Sequence, residues 1–310
     1  MDWDTFVQLT VNGLTLGSAY SLIALGYSMV YGILKLLNFA HGDVFMVGAF
    51  IGWGVIGVLG GSASPVVPAW LAISFMVVAA ALGCALLGVV IERFAYRPLR
   101  NAPRIAPLIS ALGVSFFLQN SVLLLFGADF KSYDTFDFAN GALFFEGIRW
   151  GALDISLVRI IVIASALAMM ALLSVLVYRS RLGKAMRATS YDREAAAMMG
   201  IDVDRVIVWT FFIGSALAGV AGVLVGLVFS QINHFMGFSY GLKGFTAAVI
   251  GGIGNVPGAM FGGLLIGLAE AYSAGYVSST WKNLIVFAIL VAFMLFRPSG
   301  LFGKAAIQKV

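Results

Sequence analysis

"ISLVRIIVIASALAMMALLSVLVY", residues 155–178, has one charged side chain, Arg159, near its start and is apolar from there to its end. Roughly 20 such residues coiled into a helix cross a hydrocarbon layer of about 30 Å, so the stretch reads as a membrane span. Its flanks give the span a direction. The preceding segment, 127–154, holds Asp129, Asp134, Asp137, Glu146 and Asp154 against Lys131 and Arg149. The following one, 179–205, holds Arg179, Arg181, Lys184, Arg187, Arg193 and Arg205. Basic loops stay on the cytoplasmic side, which places 127–154 outside and 179–205 inside.

The pattern repeats along the chain. Of 310 residues, 61% are hydrophobic and 11% charged, against about 25% charged in a soluble domain. Apolar runs occur at 6–34, 44–59, 66–91, 105–126, 155–178, 206–228, 258–274 and 284–296. No strand-like alternation is sustained, which excludes a β-barrel. The expectation is a single all-α polytopic membrane domain, 1–310, of about eight transmembrane helices. A further segment, 238–253, carries Lys243 and is flanked or filled by Gly237, Gly241, Gly244, Gly251 and Gly252; it reads as broken or re-entrant, tolerated where it lies within protein. The acidic start "MDWDTFVQLT" has no basic region typical of a cleavable signal and reads as external. "ERFAYRPLRNAPR" (92–104), with Arg93, Arg97, Arg100 and Arg104, and the tail, with Arg297, Lys304 and Lys309, read as cytoplasmic. An outside N-terminus and an inside C-terminus require an odd number of crossings, so the glycine-rich segment must also cross.

Composition narrows function. The net charge of +5 resides in loops, an orientation signal that calls for membrane lipid, not nucleic acid, as the neighbour. Cys84 has no second cysteine with which to form a disulfide or thiolate metal site. Glycines four apart, Gly13/Gly17, Gly48/Gly52, Gly222/Gly226 and Gly254/Gly258/Gly262, read as helix-packing faces. Neither His41 nor His234 assembles into a catalytic constellation, so the chain is expected not to be an enzyme and to hold no metal or cofactor.

One loop stretch stands apart: "REAAAMMGID", 193–202. Thr189 followed by Asp192 fits a helix start, and Gly200 a helix end. Ala195, Met198 and Met199 share one apolar face. So short a helix is marginal alone and needs a docking partner. "EAAAMMG" (194–200) resembles the coupling-loop signature of ABC-importer permeases. "NGLTLGSAYSLIALGYSMVYGILKLLNFAHGDVFMVGAF" (12–50 with its neighbours), "ERFAYRPLR" (92–100), "ISALGVSFFLQN" (109–120) and "FTAAVIGGIGNVPGAMFGGLLIGLAEA" (245–271) resemble branched-chain amino acid ABC permeases of the LivH type. The resemblance implies a bacterial inner-membrane importer permease for branched-chain amino acids. Its implied partners are a second, paralogous membrane subunit, two ATPase subunits that use ATP and Mg, and a periplasmic binding protein. It implies an ATPase-coupling role for Arg187, Asp192, Glu194, Ala195, Ala196, Met199 and Gly200. The chain has no phosphate loop of its own: Gly183-Lys184 has Tyr178 where the first glycine belongs and Ala185 where the hydroxyl belongs. Permeases for urea or short-chain amides share these segments, and an ion-coupled secondary transporter is the more distant alternative.

Ionisable residues inside spans are costly and mark pathways or pairs. Asn38, His41 and Asp43, expected near the cytoplasmic edge, and Lys243 are the pathway candidates. Glu270 and Lys282 read as a separate pair at the outer edge.

Overall fold

A computed structural model describes residues 3–60, 67–100, 102–103, 105–133, 148–150 and 153–303. Asp134, Asp137 and Glu146 of the acidic loop, Arg104, and the tail residues Lys304 and Lys309 lie outside the described residues. The helices are α1 (Trp3–Leu34), α2 (His41–Val58), α3 (Ala69–Ile91), α4 (Ile105–Phe126), α5 (Leu157–Arg179), α6 (Arg181–Tyr191), α7 (Arg193–Met198), α8 (Val203–Phe229), α9 (Met236–Gly251), α10 (Val256–Tyr272) and α11 (Lys282–Phe296). Among the described residues, seven helices are long and apolar enough to cross a bilayer, and α11, at 15 residues, is shorter. The fold is that of an all-α, multi-pass membrane protein.

The helices form two tiers. The most apolar windows of α1 and α8 are 89% and 78% buried, whereas those of α3, α4 and α5 are each 28% buried. The outer tier turns Leu86, Phe116, Phe117, Leu124 and Leu172 outward. A surface of that kind is unstable in water but costs nothing against lipid.

Glycine lets the inner tier close up. A Cβ on Gly13 would stand 2.8 Å from Leu268 Cα, and one on Gly17 2.7 Å from Leu264 Cα. These pairings run in opposite directions along the two chains, so α1 and α10 are antiparallel. Gly48 meets Gly219, and Gly52 meets Val223, so α2 and α8 run in parallel. Gly222, Gly258 and Gly262 likewise face neighbouring backbone, which bears out the packing-face reading.

Two segments depart from expectation. Residues 238–253 are not broken: α9 is a continuous helix of 16 residues, about 24 Å at 1.5 Å per residue. Its glycines serve contact, with Gly237 and Gly241 against Gly42 and Gly244 against Ile23. It ends at Gly252 (φ +101°), and Asn255 Oδ1 then accepts the Gly258 N–H at 3.2 Å to start α10. The second departure follows α1. Lys35 takes a left-handed conformation (φ +56°) and the chain turns back into the bundle, so that α2 begins at His41, packed against Gly26. Gly26 lies about 12 Å along the axis from Leu34. His41 and Asp43 therefore sit within the bundle and not at its edge, whereas Asn38, buried but bonded to Tyr96 next to Arg97, stays close to the charged end where it was expected.

The two ends of the bundle differ in charge. One gathers Lys35, Arg97, Arg100, Arg187 and Arg193, and is called here the basic end. At the other, β1 (Lys131–Ser132) pairs antiparallel with β4 (Gln231–Ile232), with Lys131 opposite Ile232; β2 (Ile148–Trp150) pairs with β3 (Leu153–Ile155). This pairing lowers Tyr133 into the notch left by Gly52 and Gly226, where its hydroxyl donates to the Ala49 carbonyl at 2.7 Å.

Candidate functional site

At the basic end, Ser180 accepts the Gly183 N–H at 2.9 Å and starts α6, which buries Gly183, Met186 and Thr189. Thr189 is thus interior to α6 and does not start the next helix. Asp192 takes that role, its Oδ1 accepting from the N–H groups of Glu194 (2.9 Å) and Ala195 (3.0 Å). Ser180 nucleates a helix one element earlier than the Thr189–Asp192 spacing suggests, and the extended backbone of Asp192 separates the two. Gly200 (φ +82°) closes α7, with Ile201 N–H donating to the Ala196 carbonyl at 3.1 Å and Gly200 N–H to that of Ala197 at 3.0 Å, the paired bonds of a glycine-terminated helix.

Six residues of helix give two faces. Ala196 is buried against the bundle, while Ala195 is exposed and Met198 and Met199 are 82% and 83% exposed. Ala196 is therefore a seat for the helix, not part of its outer face. Methionine is flexible and polarisable, suited to filling an irregular apolar cleft. Arg193 donates from Nε and Nη2 to the Ile33 carbonyl at 3.2 and 2.8 Å, closing the end of α1. Arg187 donates to the Val177 carbonyl near the end of α5 and lies 5.7 Å over the Tyr178 ring. Arg97 pairs with Asp204 at 2.7 Å, and Arg100 with Asp204 and Glu92, joining the first turn of α8 to the end of α3. The loop is thus pinned to α1 and α5, and the helix that follows it, α8, is tied to the end of α3.

Deeper in the bundle, Asn38 accepts from the Tyr96 hydroxyl at 3.2 Å. His41, with no exposed surface, meets the Tyr27 ring edge-on at 4.8 Å between centroids, and neither ring nitrogen makes a well-formed hydrogen bond. Asp43 faces α4, accepting from the Ser115 hydroxyl and from Gln119 Nε2 at 3.0 Å. Two residues apart on α2, His41 and Asp43 turn their side chains to different neighbours. A cavity of about 50 Å3 opens at Asp43, Ser115, Gln119 and Gly237. Gln119 thus links α4 to α2 as one of the carboxylate's donors.

Lys243 is buried. Its ammonium lies 2.7 Å from Glu270 Oε1, the Tyr20 hydroxyl donates to Glu270 Oε2 at 2.7 Å, and Lys282 stands 3.5 Å from Oε1. Glu270 and Lys282 thus form the expected pair, and Lys243, read as a pathway candidate apart from it, joins the same cluster. The antiparallel hairpin of α9 and α10 brings residues 243 and 270 together, a juxtaposition that linear spacing does not reveal.

Residues 9–294 match the family model described as the branched-chain amino acid transport system / permease component. The chain is 43% identical over 305 residues to the high-affinity branched-chain amino acid transport system permease protein LivH of Escherichia coli (strain K12), covering 98% of each chain. It is equally similar, with the same coverage, to BraD of Pseudomonas aeruginosa, also a high-affinity branched-chain amino acid transport system permease protein. To the probable LivH of Methanocaldococcus jannaschii it is 27% identical over 295 residues, covering 91% of this chain and 88% of the relative. With a multi-pass helical bundle in place and both the model and the relatives spanning nearly its whole length, the chain belongs to the family of branched-chain amino acid transport system permease components.

Proposed function

We propose that the chain is the transmembrane permease subunit of an ATP-driven importer of branched-chain amino acids in the bacterial inner membrane. It works with a second, paralogous membrane subunit, two ATPase subunits that bind and hydrolyse ATP with Mg, and a periplasmic binding protein. The basic end faces the cytoplasm, as the loop charges favour. The observation that carries the reading is α7, a capped helix that offers two exposed methionines while its one arginine, Arg193, grips the end of α1.

The physical sequence follows from those contacts. An ATPase cleft holds Met198, Met199 and the exposed Glu194 side chain. Closure of the ATPases displaces α7, and Arg193, Arg187 and the Arg97–Asp204–Arg100 network pass the displacement to α1, α5, α8 and α3. Helices in backbone contact through glycine shift as rigid bodies, because packed interiors switch between arrangements instead of deforming smoothly. Inverting a 1:99 population of two arrangements takes about 5.5 kcal/mol of differential binding, which the partner subunits supply. Asp192 and Gly200 hold the shape of α7, Ala196 seats it, and Ala195 borders its outer face. Of the pathway candidates, Asp43 suits a passing ammonium group, since its carboxylate borders a cavity; Asn38 and His41 are better suited to shaping the turn around it.

The test is uptake by proteoliposomes containing the whole transporter. Met198→Glu/Met199→Glu should reduce ATP-driven leucine uptake about tenfold or more while the chain stays in the membrane, since two charges desolvated in an apolar cleft cost several kcal/mol. Undiminished uptake by this variant would overturn the reading.

A further inference from the structure

The basic end holds a pocket of about 540 Å3 between the end of α1, the start of α4 and the α6–α7 loop. The Asp43 centre does not reach it, and of the three side chains given to the ATPase cleft only Glu194 borders it. Lys35, Arg100 and Arg193 line it, together with two acids, Asp192 and Glu194. Asp192 is occupied by the N–H groups of α7, and Glu194 is exposed. Arg100 already serves Glu92 and Asp204. The Lys35 ammonium has no ion pair among the described residues. Lys35 is exposed, yet partial desolvation and the Arg193 charge hold it below the usual lysine range, and partial burial and the Arg100 charge act on Arg193 in the same direction. Like charges gathered in a half-dry place behave this way.

Buried donors point the same way. Thr10, Thr15, Thr210 and Thr246 each turn the hydroxyl back to the carbonyl four residues earlier. Thr189, 1% exposed and lining this pocket, does not, and its hydroxyl has no partner among the described residues; nor has Nε of Arg100. The negative end of the α1 dipole accounts for Arg193, which caps the Ile33 carbonyl. It does not account for a buried hydroxyl and a buried guanidinium N–H with nothing to receive them, an arrangement that costs the folded state free energy. A compact, acceptor-only group with several oxygens satisfies both and neutralises the cations.

We propose that this pocket binds a phosphate-class anion, held by Lys35, Arg193, Arg100 Nε and the Thr189 hydroxyl. Two sources present that chemistry: inorganic phosphate from solution, or the headgroup of an anionic phospholipid. Pro107 lines the pocket, and Ile105 and Ile109 beside it are turned outward toward lipid. Because α7 forms one wall, the occupant ties the coupling element to α1 and sets how firmly it is held. The placement of this end at the cytoplasmic leaflet rests on the preceding reading, so binding is measured separately from transport.

The experiment uses the purified transporter with its partner subunits. Native mass spectrometry after passage through phosphatidylcholine vesicles containing phosphatidylglycerol counts retained anionic lipid, and calorimetric titration of the delipidated complex with inorganic phosphate reads the free anion. Lys35→Asn keeps a residue tolerant of positive φ, and Thr189→Val removes the donor at nearly constant volume. The double variant should weaken one of the two probes about tenfold, the scale of two lost donors and a charge. Pairing Lys35 with Thr189→Ser should recover binding. Loss confined to phosphatidylglycerol assigns the site to lipid, and loss confined to inorganic phosphate assigns it to the free anion. If neither probe binds the parent complex, or both bind the double variant as tightly, the proposal is wrong.

Discussion

Glu270 sits between two ammonium groups and a tyrosine hydroxyl, with about 4% of its side chain exposed. Removing its charge alone leaves Lys243 buried and uncompensated, the arrangement that costs most when one member of an ion pair is lost. We expect Glu270→Gln to destabilise the chain by about 3–5 kcal/mol, read as a lowered thermal midpoint in detergent. Lys243→Met/Glu270→Leu, which removes both charges and keeps volume, should recover at least half of that loss. A double variant as unstable as the single one would mean that the cluster does more than balance its own charges. The sequence marked all three charges, because charge inside an apolar run is conspicuous, and it paired Glu270 with Lys282. That Lys243 joins them was not legible, and Tyr20, the fourth member, carries no signal at all in an apolar helix.

The coupling element depends on its two ends, since six residues of helix cannot persist unaided. Replacing Asp192 by Ala removes an N-cap worth about 1 kcal/mol. Gly200→Val places a β-branched residue at φ +82°, a strained geometry worth about 1–3 kcal/mol. Either change should raise amide exchange across 193–199 and lower substrate-stimulated ATPase activity of the assembled transporter, with the spans unaffected. Unchanged exchange would show that docking on the bundle, not capping, holds the element. These caps were legible in sequence because Asp and Gly act locally; only the preceding boundary slipped, since Ser180 is a competing start. For α9 the outcome was the reverse. Its glycines were read as breaks, but glycine also marks where a neighbouring backbone comes close, and one sequence does not distinguish the two uses. Gly48 tests the second use: with a Cβ lying against Gly219, Gly48→Val should push α2 off α8 and destabilise by about 1–3 kcal/mol, the cost of overpacking, measured by thermal unfolding. A neutral result would mean that α2 has room to shift.

On the scale of the whole molecule, apolar length and loop charge were sufficient to place nearly every span, because the bilayer imposes length and polarity more strictly than water does. They failed at the turn after α1, where residues 35–40 dip back into the bundle: a re-entrant turn carries no length signature, and its polar residues mimic a membrane edge. The same logic gives a testable direction. If α1 and α2 together make one excursion and return, α2 ends on the side opposite the α6–α7 loop, with α3, α4 and α5 crossing between them. Val58 and Tyr191, 87% and 92% exposed, report on the two sides. The single cysteine, Cys84, is buried and leaves a silent background for thiol labelling. A membrane-impermeant maleimide should label Val58→Cys in intact cells with the outer membrane permeabilised, and Tyr191→Cys in inverted inner-membrane vesicles. Labelling of both positions from the same face would require an even number of crossings between them, which would undo the cytoplasmic placement of α7 and the route by which ATPase motion reaches the bundle.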